Sequence, residues 1–276
     1  MPSQLIDLFG AAGMPARIVS FESGATAVTA ARSAAAAGDD TVVAAGGDGT
    51  VSAVAAALIG SEMPLGVVPL GTVNHFAKDL GLPLDARGAV KTIAGRRTIR
   101  VDVGEVNDRT FLNNSSIGIY PDIVLEREAL RREGHRKWAA FAVATARIVR
   151  QYRGLVVKIT ADDSVETART PFLVVGNNEY ETHGIHLGAR ARLNAGRLSA
   201  YLAPRVHARE LPKLVALALV GRAKEHHIFE SFVARELQAE TPGRRSLRVA
   251  LDGEVVVMTA PLHFRVRPLA LRVIVP

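Results

Sequence analysis

The sequence predicts an α/β protein with a parallel sheet in its first third and a second, strand-rich domain. Up to about residue 95, short apolar strands alternate with helices, which is the order of a parallel sheet with helical crossovers. From Arg96 onward, alternating polar and apolar residues joined by short turns indicate hairpins instead. We therefore place a domain boundary near residue 100.

The composition is that of a globular chain with a substantial core. The 276 residues are 48% hydrophobic and include no cysteine, which excludes disulfides and thiolate metal sites and is compatible with the cytoplasm. Met1–Phe9 lacks the basic start and long apolar run of a signal peptide. The longest apolar run, Leu214–Val220, is too short to span a bilayer. We expect a soluble, cytoplasmic protein.

The positive charge is confined to the part of the chain after residue 100. The first hundred residues contain 8 basic and 8 acidic side chains, so the remainder carries the whole net charge of +7. This asymmetry predicts an anionic partner for the second domain. Aromatic residues are few and are not interleaved with the basic ones, so we expect a membrane surface and no nucleic acid. Solvated arginine-rich faces are the alternative interpretation.

Three elements precede the first glycine turn. Met1–Gly13 has the apolar spacing of an amphipathic helix, Ala16–Phe21 that of a strand, and Ala25–Ala37 is an alanine-rich helix that ends at Gly38. A buried strand, Thr41–Ala45, follows them.

The strand Thr41–Ala45 leads into the turn Gly46-Gly47-Asp48-Gly49-Thr50, with a helix predicted from Thr50 onward. Glycines let backbone N–H groups approach a phosphate, and the helix dipole favours negative charge at this end. A carboxylate at Asp48 would be unfavourable in such a turn unless it bound Mg²⁺ or a reacting hydroxyl. The alternative is purely structural, with Thr50 as an N-cap in ordinary turn chemistry.

A second strand and glycine turn strengthen the functional interpretation. Leu65–Pro69 is a short apolar strand, followed by Gly71, Thr72 and then Asn74 at the start of a helix that runs to Leu80. The carboxyl ends of neighbouring parallel strands share one edge of a sheet, so we expect the two turns to face the same crevice.

These two segments, Gly46–Thr50 and Pro69–Ala77, resemble the catalytic domain of the diacylglycerol kinase and lipid kinase family, which includes sphingosine kinases. The resemblance continues, in the family's order, through Asn114–Gly118, Val175–Asn178 and Leu251–Glu254. The first turn alone is shared with NAD kinases. The resemblance implies an NAD-kinase-like parallel α/β nucleotide-binding domain at 1–100, completed by a C-terminal strand at about 263–276. It also implies a β-sandwich-like lipid-substrate domain at 101–262.

The resemblance also implies a cofactor set, ATP and Mg²⁺, and roles for particular residues. Asp48, Asp252 and Glu254 would be catalytic, with Glu254 as general base and Asp252 as its partner; Asp48 and Asp252 would contact the metal. The remaining implied residues bind the nucleotide: Gly46, Gly47, Gly49, Thr50, Thr72 and Asn74. From local features alone, Asp252-Gly253 would be read as an ordinary hairpin turn.

The sequence departs from the family pattern at three places. Family members begin with a strand that ends in an Asn-Pro-x-Ser-Gly-like turn, whereas this sequence opens on the helix that would follow it. His75 stands where many members have Asp, and we expect a surface helix residue there. Asn194–Ser199 replaces an acidic segment that helps to bind a structural Mg²⁺, so we predict no metal at that segment.

The second domain is predicted mainly from hairpins and one helical region. A zinc site at His183 and His186 is not expected, because no third ligand is evident, and His226 and His227 are expected to be solvated. Trp138 is expected in the core. The predicted elements, in chain order, are strands Thr98–Val106 and Thr110–Ile117, a helical region Pro121–Arg153 broken at Gly134, strands Leu155–Thr160 and Thr170–Val175, a helix Arg205–Val220, strands Phe229–Leu237, Leu247–Leu251 and Val255–Val257, and two strand-like runs in Leu262–Pro276.

The function these features favour is an ATP-dependent lipid kinase that phosphorylates the hydroxyl of diacylglycerol or a related lipid alcohol. Expected partners are a lipid substrate, a peripheral membrane surface and, as a further option, a second copy in a homodimer. Two alternatives stay open: a kinase of a soluble metabolite, as in NAD kinases, and a non-catalytic lipid-binding pseudokinase.

Overall fold

The computed structural model describes residues 2–21, 23–152, 154–161, 164–180, 190, 192–203, 210 and 230–276, with the side chains of Lys137 and Trp138 excepted. Several sequence predictions lie outside the described residues: the Trp138 side chain, the helix Arg205–Val220, and the histidines 183, 186, 226 and 227. The chain forms two compact units. The first comprises residues up to Val103, the described part of 189–196 and Arg267–Pro276; the second comprises the remainder.

The first unit is a parallel α/β structure, as predicted. Strands β1 and β2 run parallel, with Val42 opposite Leu65, and the end of the last strand, β14, runs parallel to β2 with Val273 opposite Leu65. Every residue of β2 is buried, because helices cover the faces of a parallel sheet. The elements are α1 (Pro2–Ala11), α2 (Gly24–Ala36), β1 (Val42–Gly46), α3 (Asp48–Leu58), β2 (Leu65–Pro69), α4 (His75–Asp79), α5 (Ala86–Ala94) and β3 (Thr98–Val106).

The helix predicted at Met1–Gly13 is observed as α1, which packs in the first unit through one face. Leu5 and Phe9 are buried with Val90 and Ile93 of α5 and Ile274 of the last strand. The helix α5 begins after Asp85, whose carboxylate accepts a hydrogen bond from the Gly88 amide at 2.8 Å.

Two sequence predictions for the first unit are wrong. Ala16–Phe21 forms no strand, and Ile18, Val19 and Phe21 are exposed. A strand requires a neighbouring backbone to pair with, which an alternating pattern cannot supply. The helix after the first glycine turn begins at Asp48 with Gly47 as N-cap, so Thr50 is the third helical residue and not the cap.

The second unit is a β-sandwich-like structure, as predicted from the resemblance. Six strands form an antiparallel sheet in the order β10-β9-β8-β5-β12-β13, and β11 pairs on either side with β6 and the start of β14. One buried core joins these strands, and it includes Ile159, Leu173, Leu198, Val249 and Phe264. The elements are β4 (Arg109–Phe111), β5 (Asn114–Gly118), α6 (Ile119–Arg132), α7 (Lys137–Gln151), β6 (Leu155–Ala161), β7 (Ser164–Thr170), β8 (Phe172–Asn177), β9 (Leu198–Leu202), β10 (Glu230–Ala234), β11 (Glu236–Glu240), β12 (Ser246–Leu251), β13 (Glu254–Thr259) and β14 (Leu262–Ile274).

Four strand predictions for the later part of the chain are corrected by the structure. Thr110–Ile117 is two strands, because β4 pairs with β3 whereas β5 pairs with β8 and β12. The strand β7 was not predicted, the described part of the predicted strand Phe229–Leu237 is divided between β10 and β11, and the two runs after Leu262 form one strand. Local alternation does not reveal where a strand changes its pairing partner. None of the helices in the described part of the chain has the length and apolarity needed to cross a bilayer.

Candidate active site

In the first unit, the two glycine turns lie backbone against backbone. The Leu70 amide donates a hydrogen bond of 2.9 Å to the Gly46 carbonyl. A Cβ added to Gly71 would lie 2.6 Å from the Gly47 Cα, closer than any real side chain tolerates. Glycine at 71 is therefore required by this contact, and the two turns are neighbours, as expected of turns that follow adjacent parallel strands.

Asn74 holds the second turn in shape. It adopts a left-handed conformation with φ of 54° and is 8% exposed. Its Oδ1 accepts from the Gly71 amide at 3.0 Å and its Nδ2 donates to the Gly71 carbonyl at 2.9 Å. Thr72, between them, is exposed, and among the described residues its hydroxyl has no hydrogen-bond partner. Thr72 is thus accessible to a ligand, whereas much of the Asn74 amide is used within the turn.

Asp48 links the two turns through a side chain. It is the first residue of α3, and its Oδ1 accepts a hydrogen bond of 3.2 Å from the Phe76 amide in the first turn of α4. The dipole of α3 stabilises a carboxylate at this end of the helix, which removes the apparent repulsion inferred from the sequence. Its second oxygen accepts no hydrogen bond from any described residue, so it is available to a cation or to a polar ligand.

The N-terminus of α3 has the features of an anion site. The first amides of any helix lack intrahelical acceptors, and the Gly47 cap supplies no side-chain acceptor to them. A Cβ on Gly46 would lie 2.6 Å from the Thr50 side chain, whereas a Cβ on Gly49 would meet nothing within 4 Å. Protein packing therefore requires glycine at 46 but not at 49. These free amides and the free Asp48 oxygen suit a phosphate chain with Mg²⁺.

In the second unit, Asp252 and Gly253 form a two-residue hairpin turn between β12 and β13. Their φ values of 47° and 90° are those of a type I′ turn, and Leu251 lies opposite Glu254. The Asp252 carboxylate accepts three backbone hydrogen bonds, from Leu112 at 2.8 Å, Asn113 at 2.8 Å and Asn114 at 3.1 Å. Asp252 thereby ties the turn to the start of β5. Three accepted bonds leave a carboxylate little remaining capacity for a metal.

Glu254 follows the turn and is exposed to solvent. No described residue donates a hydrogen bond to its carboxylate. Glu254 is therefore the accessible acidic group of the Asp252–Glu254 pair, on a backbone that Asp252 holds in place. This division of roles is not visible in the sequence.

Polar side chains reinforce the end of the sheet that carries this turn. Asn114 lies opposite Gly176 in the pairing of β5 with β8, which brings two of the family-like segments together. The Asn114 amide donates to the Tyr180 hydroxyl at 3.2 Å, and that hydroxyl donates to the Asn113 carbonyl at 3.0 Å. Asn177 donates to the Leu112 carbonyl at 2.9 Å. Tyr180 was not anticipated, because nothing in its local sequence distinguishes it from a surface tyrosine.

Two buried carboxylates in the first unit were also missed. Asp79 pairs with Arg190 through two nitrogens at 2.8 Å, with side chains 7% and 0% exposed. Asp102, also buried, accepts from the amides of Gly196 at 2.7 Å and Leu269 at 2.8 Å. Each carboxylate lies far in sequence from the groups it contacts, so no local sequence pattern predicts these contacts. Gly196 belongs to the segment predicted to lack a metal, and among the described residues no three acidic or histidine side chains cluster together.

Comparison with known proteins identifies both parts of the chain. Residues 2–106 match the diacylglycerol kinase catalytic domain, and residues 117–275 match the YegS C-terminal NAD kinase beta sandwich-like domain. The chain belongs to the diacylglycerol kinase and YegS lipid kinase family. The resemblance inferred from the sequence is confirmed, and kinases of this family use ATP.

Individual relatives support the same assignment at moderate identity. A diacylglycerol kinase of Staphylococcus epidermidis is 28% identical over 183 residues, which are 65% of this chain and 57% of the relative. The diacylglycerol kinase of Staphylococcus haemolyticus is 27% identical over 213 residues, 75% of this chain and 62% of the relative. The matches thus span only slightly more than half of these relatives. A crystal structure of a diacylglycerol kinase from Bacillus anthracis has the same fold, with a TM-score of 0.70, 20% identity, and coverage of 99% of this chain and 90% of that one.

Proposed function

We propose that this family member is an ATP-dependent lipid kinase that transfers the γ-phosphoryl group to the hydroxyl of diacylglycerol or a related lipid alcohol. The observation that carries the proposal is the open N-terminus of α3, held against the second glycine turn by the bond from Phe76 to Asp48. An anion site beside a carboxylate is the arrangement that phosphoryl transfer needs, because such transfer depends on positioning and charge neutralisation.

In this proposal the first unit binds the nucleotide. Backbone amides at Gly47 and Gly49 contact phosphate oxygens, and the hydroxyls of Thr50 and Thr72 add hydrogen bonds. Gly46 and Asn74 keep the two turns in the required shape. Mg²⁺, held by the free oxygen of Asp48, would neutralise charge on the phosphates. Asp252 is also a proposed metal contact, although its three backbone hydrogen bonds favour a positioning role.

The second unit provides the proposed general base. The lipid hydroxyl oxygen forms a bond to the γ-phosphorus while the bond from that phosphorus to the bridging oxygen breaks, which releases ADP. The hydroxyl proton passes to Glu254. Since an aliphatic alcohol has a very high pKa, the proton leaves as the new bond forms and not before. The accessible Glu254 carboxylate suits this task, because no described residue occupies it.

We also propose that the protein works in the cytoplasm at a membrane surface. Its lipid substrate resides in a bilayer, and the net charge of +7 falls entirely after residue 100. Basic side chains near an anionic surface contribute about 1 kcal/mol each. Flotation with anionic and with neutral vesicles would measure this attraction directly.

The decisive experiment is phosphate transfer from ATP labelled at the γ-phosphate, with diacylglycerol in mixed micelles and NAD as separate acceptors. We expect labelled lipid and no labelled NAD. Asp48→Ala and Glu254→Ala should each abolish transfer without unfolding the chain. Asp7→Ala in α1 and Glu236→Ala in β11 are matched controls, because both carboxylates are exposed.

Other outcomes would point to the alternative functions. Labelling of NAD in place of lipid would indicate a kinase of a soluble metabolite. Lipid binding without ADP release, unchanged by Asp48→Ala, would indicate a non-catalytic lipid-binding protein. Full turnover in either the Asp48 or the Glu254 variant would remove that residue from the mechanism.

A further inference from the structure

A cavity of about 460 Å³ within the first unit is lined by several arginines, and we call it the arginine cavity. Its volume is typical of sites that bind small molecules. The described residues that line it come from the end of α4, the start of β3, the segment 190–194 and the two residues that follow β14. None of them belongs to the glycine turns at 46–50 and 71–74. The charged residues that line it are Asp79, Arg97, Arg100, Arg190 and Arg192.

The arginine cavity has an excess of positive charge. Asp79 is the one carboxylate among the described residues that line it, and it is already paired with the buried Arg190 through two nitrogens at 2.8 Å. Arg100 pairs with Glu62 outside the cavity, but these side chains are 37% and 80% exposed, and such surface pairs contribute little. Since guanidinium groups around one cavity repel one another, an anion bound among them would be stabilised.

The same guanidinium groups retain donors for a ligand. Each guanidinium carries five N–H groups. Arg97 donates one hydrogen bond, to the backbone oxygen of Pro276 at 2.5 Å, and Arg192 is exposed and donates to no described residue. Guanidinium groups bind phosphate oxygens in pairs through parallel N–H bonds. The donors of the cavity therefore suit a phosphate group.

Apolar side chains form the rest of the cavity wall. Leu80, Val101, Leu193 and Val275 line it and are buried, whereas Ile99 lines it and is 39% exposed. An organic group on the ligand would cover Ile99, which inorganic phosphate would leave in water. A phosphate monoester combines such a group with a nearly doubly charged head that has three strong acceptor oxygens.

Another cavity of the first unit has arginines but not the charge to attract an anion. It has a volume of about 390 Å³. Its charged lining residues are Asp39, Asp40, Glu62, Arg96 and Arg272, so carboxylates outnumber guanidinium groups. Arg96 is moreover paired with Asp40 at 3.2 Å. Of these two cavities, the arginine cavity is the one that suits an anion.

We propose that the arginine cavity binds a phosphate monoester, with Arg97, Arg100 and Arg192 on the phosphate oxygens and Ile99 against the organic group. The site is separate from the proposed nucleotide site. The cavity touches the last residue of α4, whereas the second glycine turn precedes the first, and five helical residues span about 7.5 Å. The inference does not rest on the lipid kinase proposal, because it concerns a second anion site and not the reaction.

The first test is calorimetric titration of the full chain with glycerol 3-phosphate, with glycerol as the control ligand. We expect saturable binding of glycerol 3-phosphate and none of glycerol. The dissociation constant should rise at least about tenfold in Arg97→Gln and in Arg192→Gln, because each loses charge-assisted hydrogen bonds. Arg32→Gln, on an exposed residue of α2, is the matched control and should bind as the wild type does.

Gly49→Ala distinguishes this site from the proposed nucleotide site. Gly49 lies in the first glycine turn and does not line the arginine cavity. Gly49→Ala should therefore bind glycerol 3-phosphate as tightly as the wild type does. If Gly49→Ala weakens this binding while Arg192→Gln leaves it unchanged, the glycine turns hold the phosphate and the proposal is wrong.

The second test determines whether the phosphate monoester is soluble or belongs to a lipid. Phosphatidylcholine vesicles that contain phosphatidic acid present the same chemical group as a lipid head, and vesicles with phosphatidylglycerol at equal charge present a phosphate diester. Binding to phosphatidic acid vesicles that exceeds binding to phosphatidylglycerol vesicles, and that Arg192→Gln reduces at least about tenfold, indicates a lipid headgroup. Binding of glycerol 3-phosphate without this preference between vesicles indicates a soluble ligand.

The proposal is overturned if neither glycerol 3-phosphate nor phosphatidic acid vesicles bind in preference to their controls. It is also overturned if the double variant Arg97→Gln, Arg192→Gln binds both probes like the wild type, or if Arg32→Gln weakens binding as much as Arg192→Gln does. Urea unfolding checks that the variants are folded. Arg192→Gln should unfold like the wild type, because Arg192 is exposed and has no hydrogen-bond acceptor in the described part of the chain.

Discussion

Gly49→Ala and Gly71→Ala form a matched pair that separates packing from ligand approach at the proposed phosphate site. A Cβ at position 71 would lie 2.6 Å from both the Gly47 Cα and the Asn74 Oδ1, so the two turns must move apart. Overpacking of this kind costs about 1–3 kcal/mol. A Cβ at position 49 would meet no atom within 4 Å. Gly49 is the second residue of α3, where alanine reduces the entropy of the unfolded chain and stabilises by about 0.4–1 kcal/mol.

The two variants should therefore shift stability in opposite directions while both weaken nucleotide binding. Urea unfolding, followed by circular dichroism, measures the change in the free energy of unfolding. Native-state hydrogen exchange of the α3 amides shows whether the change arises in that helix. Titration with ATP and Mg²⁺ measures nucleotide binding. We expect the dissociation constant to rise at least about tenfold in each variant, which is equivalent to ~1.4 kcal/mol of binding free energy. For Gly49→Ala the expected cause is steric, because the new methyl group occupies space that no described residue fills, on a residue whose amide is proposed to contact phosphate.

The reasoning is refuted by two results. If Gly49→Ala binds ATP as tightly as the wild type, no phosphate approaches that amide and the proposed site is misplaced. If Gly71→Ala is as stable as the wild type, the two turns do not pack as closely as the structure indicates.

Three further substitutions test how hydrogen-bonded carboxylates hold the fold. Asp252→Asn keeps a residue that tolerates positive φ but loses the charge and at least one of the three accepted hydrogen bonds. It should lower the free energy of unfolding by about 2–4 kcal/mol. It should also lower the rate of phosphoryl transfer, because the backbone that carries Glu254 is held less firmly. Urea unfolding, followed by the fluorescence of the single tryptophan in α7 of the same unit, measures this change in the free energy of unfolding. A decrease of less than about 0.5 kcal/mol would contradict the role assigned to Asp252. Asp79→Ala removes the carboxylate that pairs with the buried Arg190 guanidinium and should lower the free energy of unfolding by about 3–5 kcal/mol. Asp85→Ala, which removes only the cap of α5, should lower it by about 1 kcal/mol. Equal losses for the two variants, measured by circular dichroism, would argue against a buried pair.

Sequence reasoning succeeded where short-range chemistry decides the structure. The apolar run Leu65–Pro69 is a fully buried strand, and the break at Gly134 separates two helices. It failed where pairing or contact with distant residues decides. Ala16–Phe21 alternates like a strand but has no ladder, and Thr110–Ile117 changes partners part-way because Asp252 binds the amides between its two halves.

The candidate site divides in the same way. Residue types and spacing were sufficient to nominate Asp48, because a carboxylate in a glycine turn suits phosphate and Mg²⁺ chemistry. Asp252 and Glu254 were nominated only by the family resemblance. They were not sufficient to distinguish the three. Only the folded chain gives Asp48 a single backbone donor, Asp252 three, and Glu254 none among the described residues.

The amino-acid sequence by itself determined the family, the order of helices and strands around the glycine turns, and the residue types available for chemistry. The family follows from the resemblance of five short segments in a fixed order, and the other properties follow from local propensity, periodicity and residue type, which act over a few residues. The tertiary structure alone decided which carboxylates are buried and which remain accessible. Those properties depend on hydrogen bonds and packing between residues as distant as Asp252 and Leu112, or Arg190 and Asp79, and no local pattern encodes them.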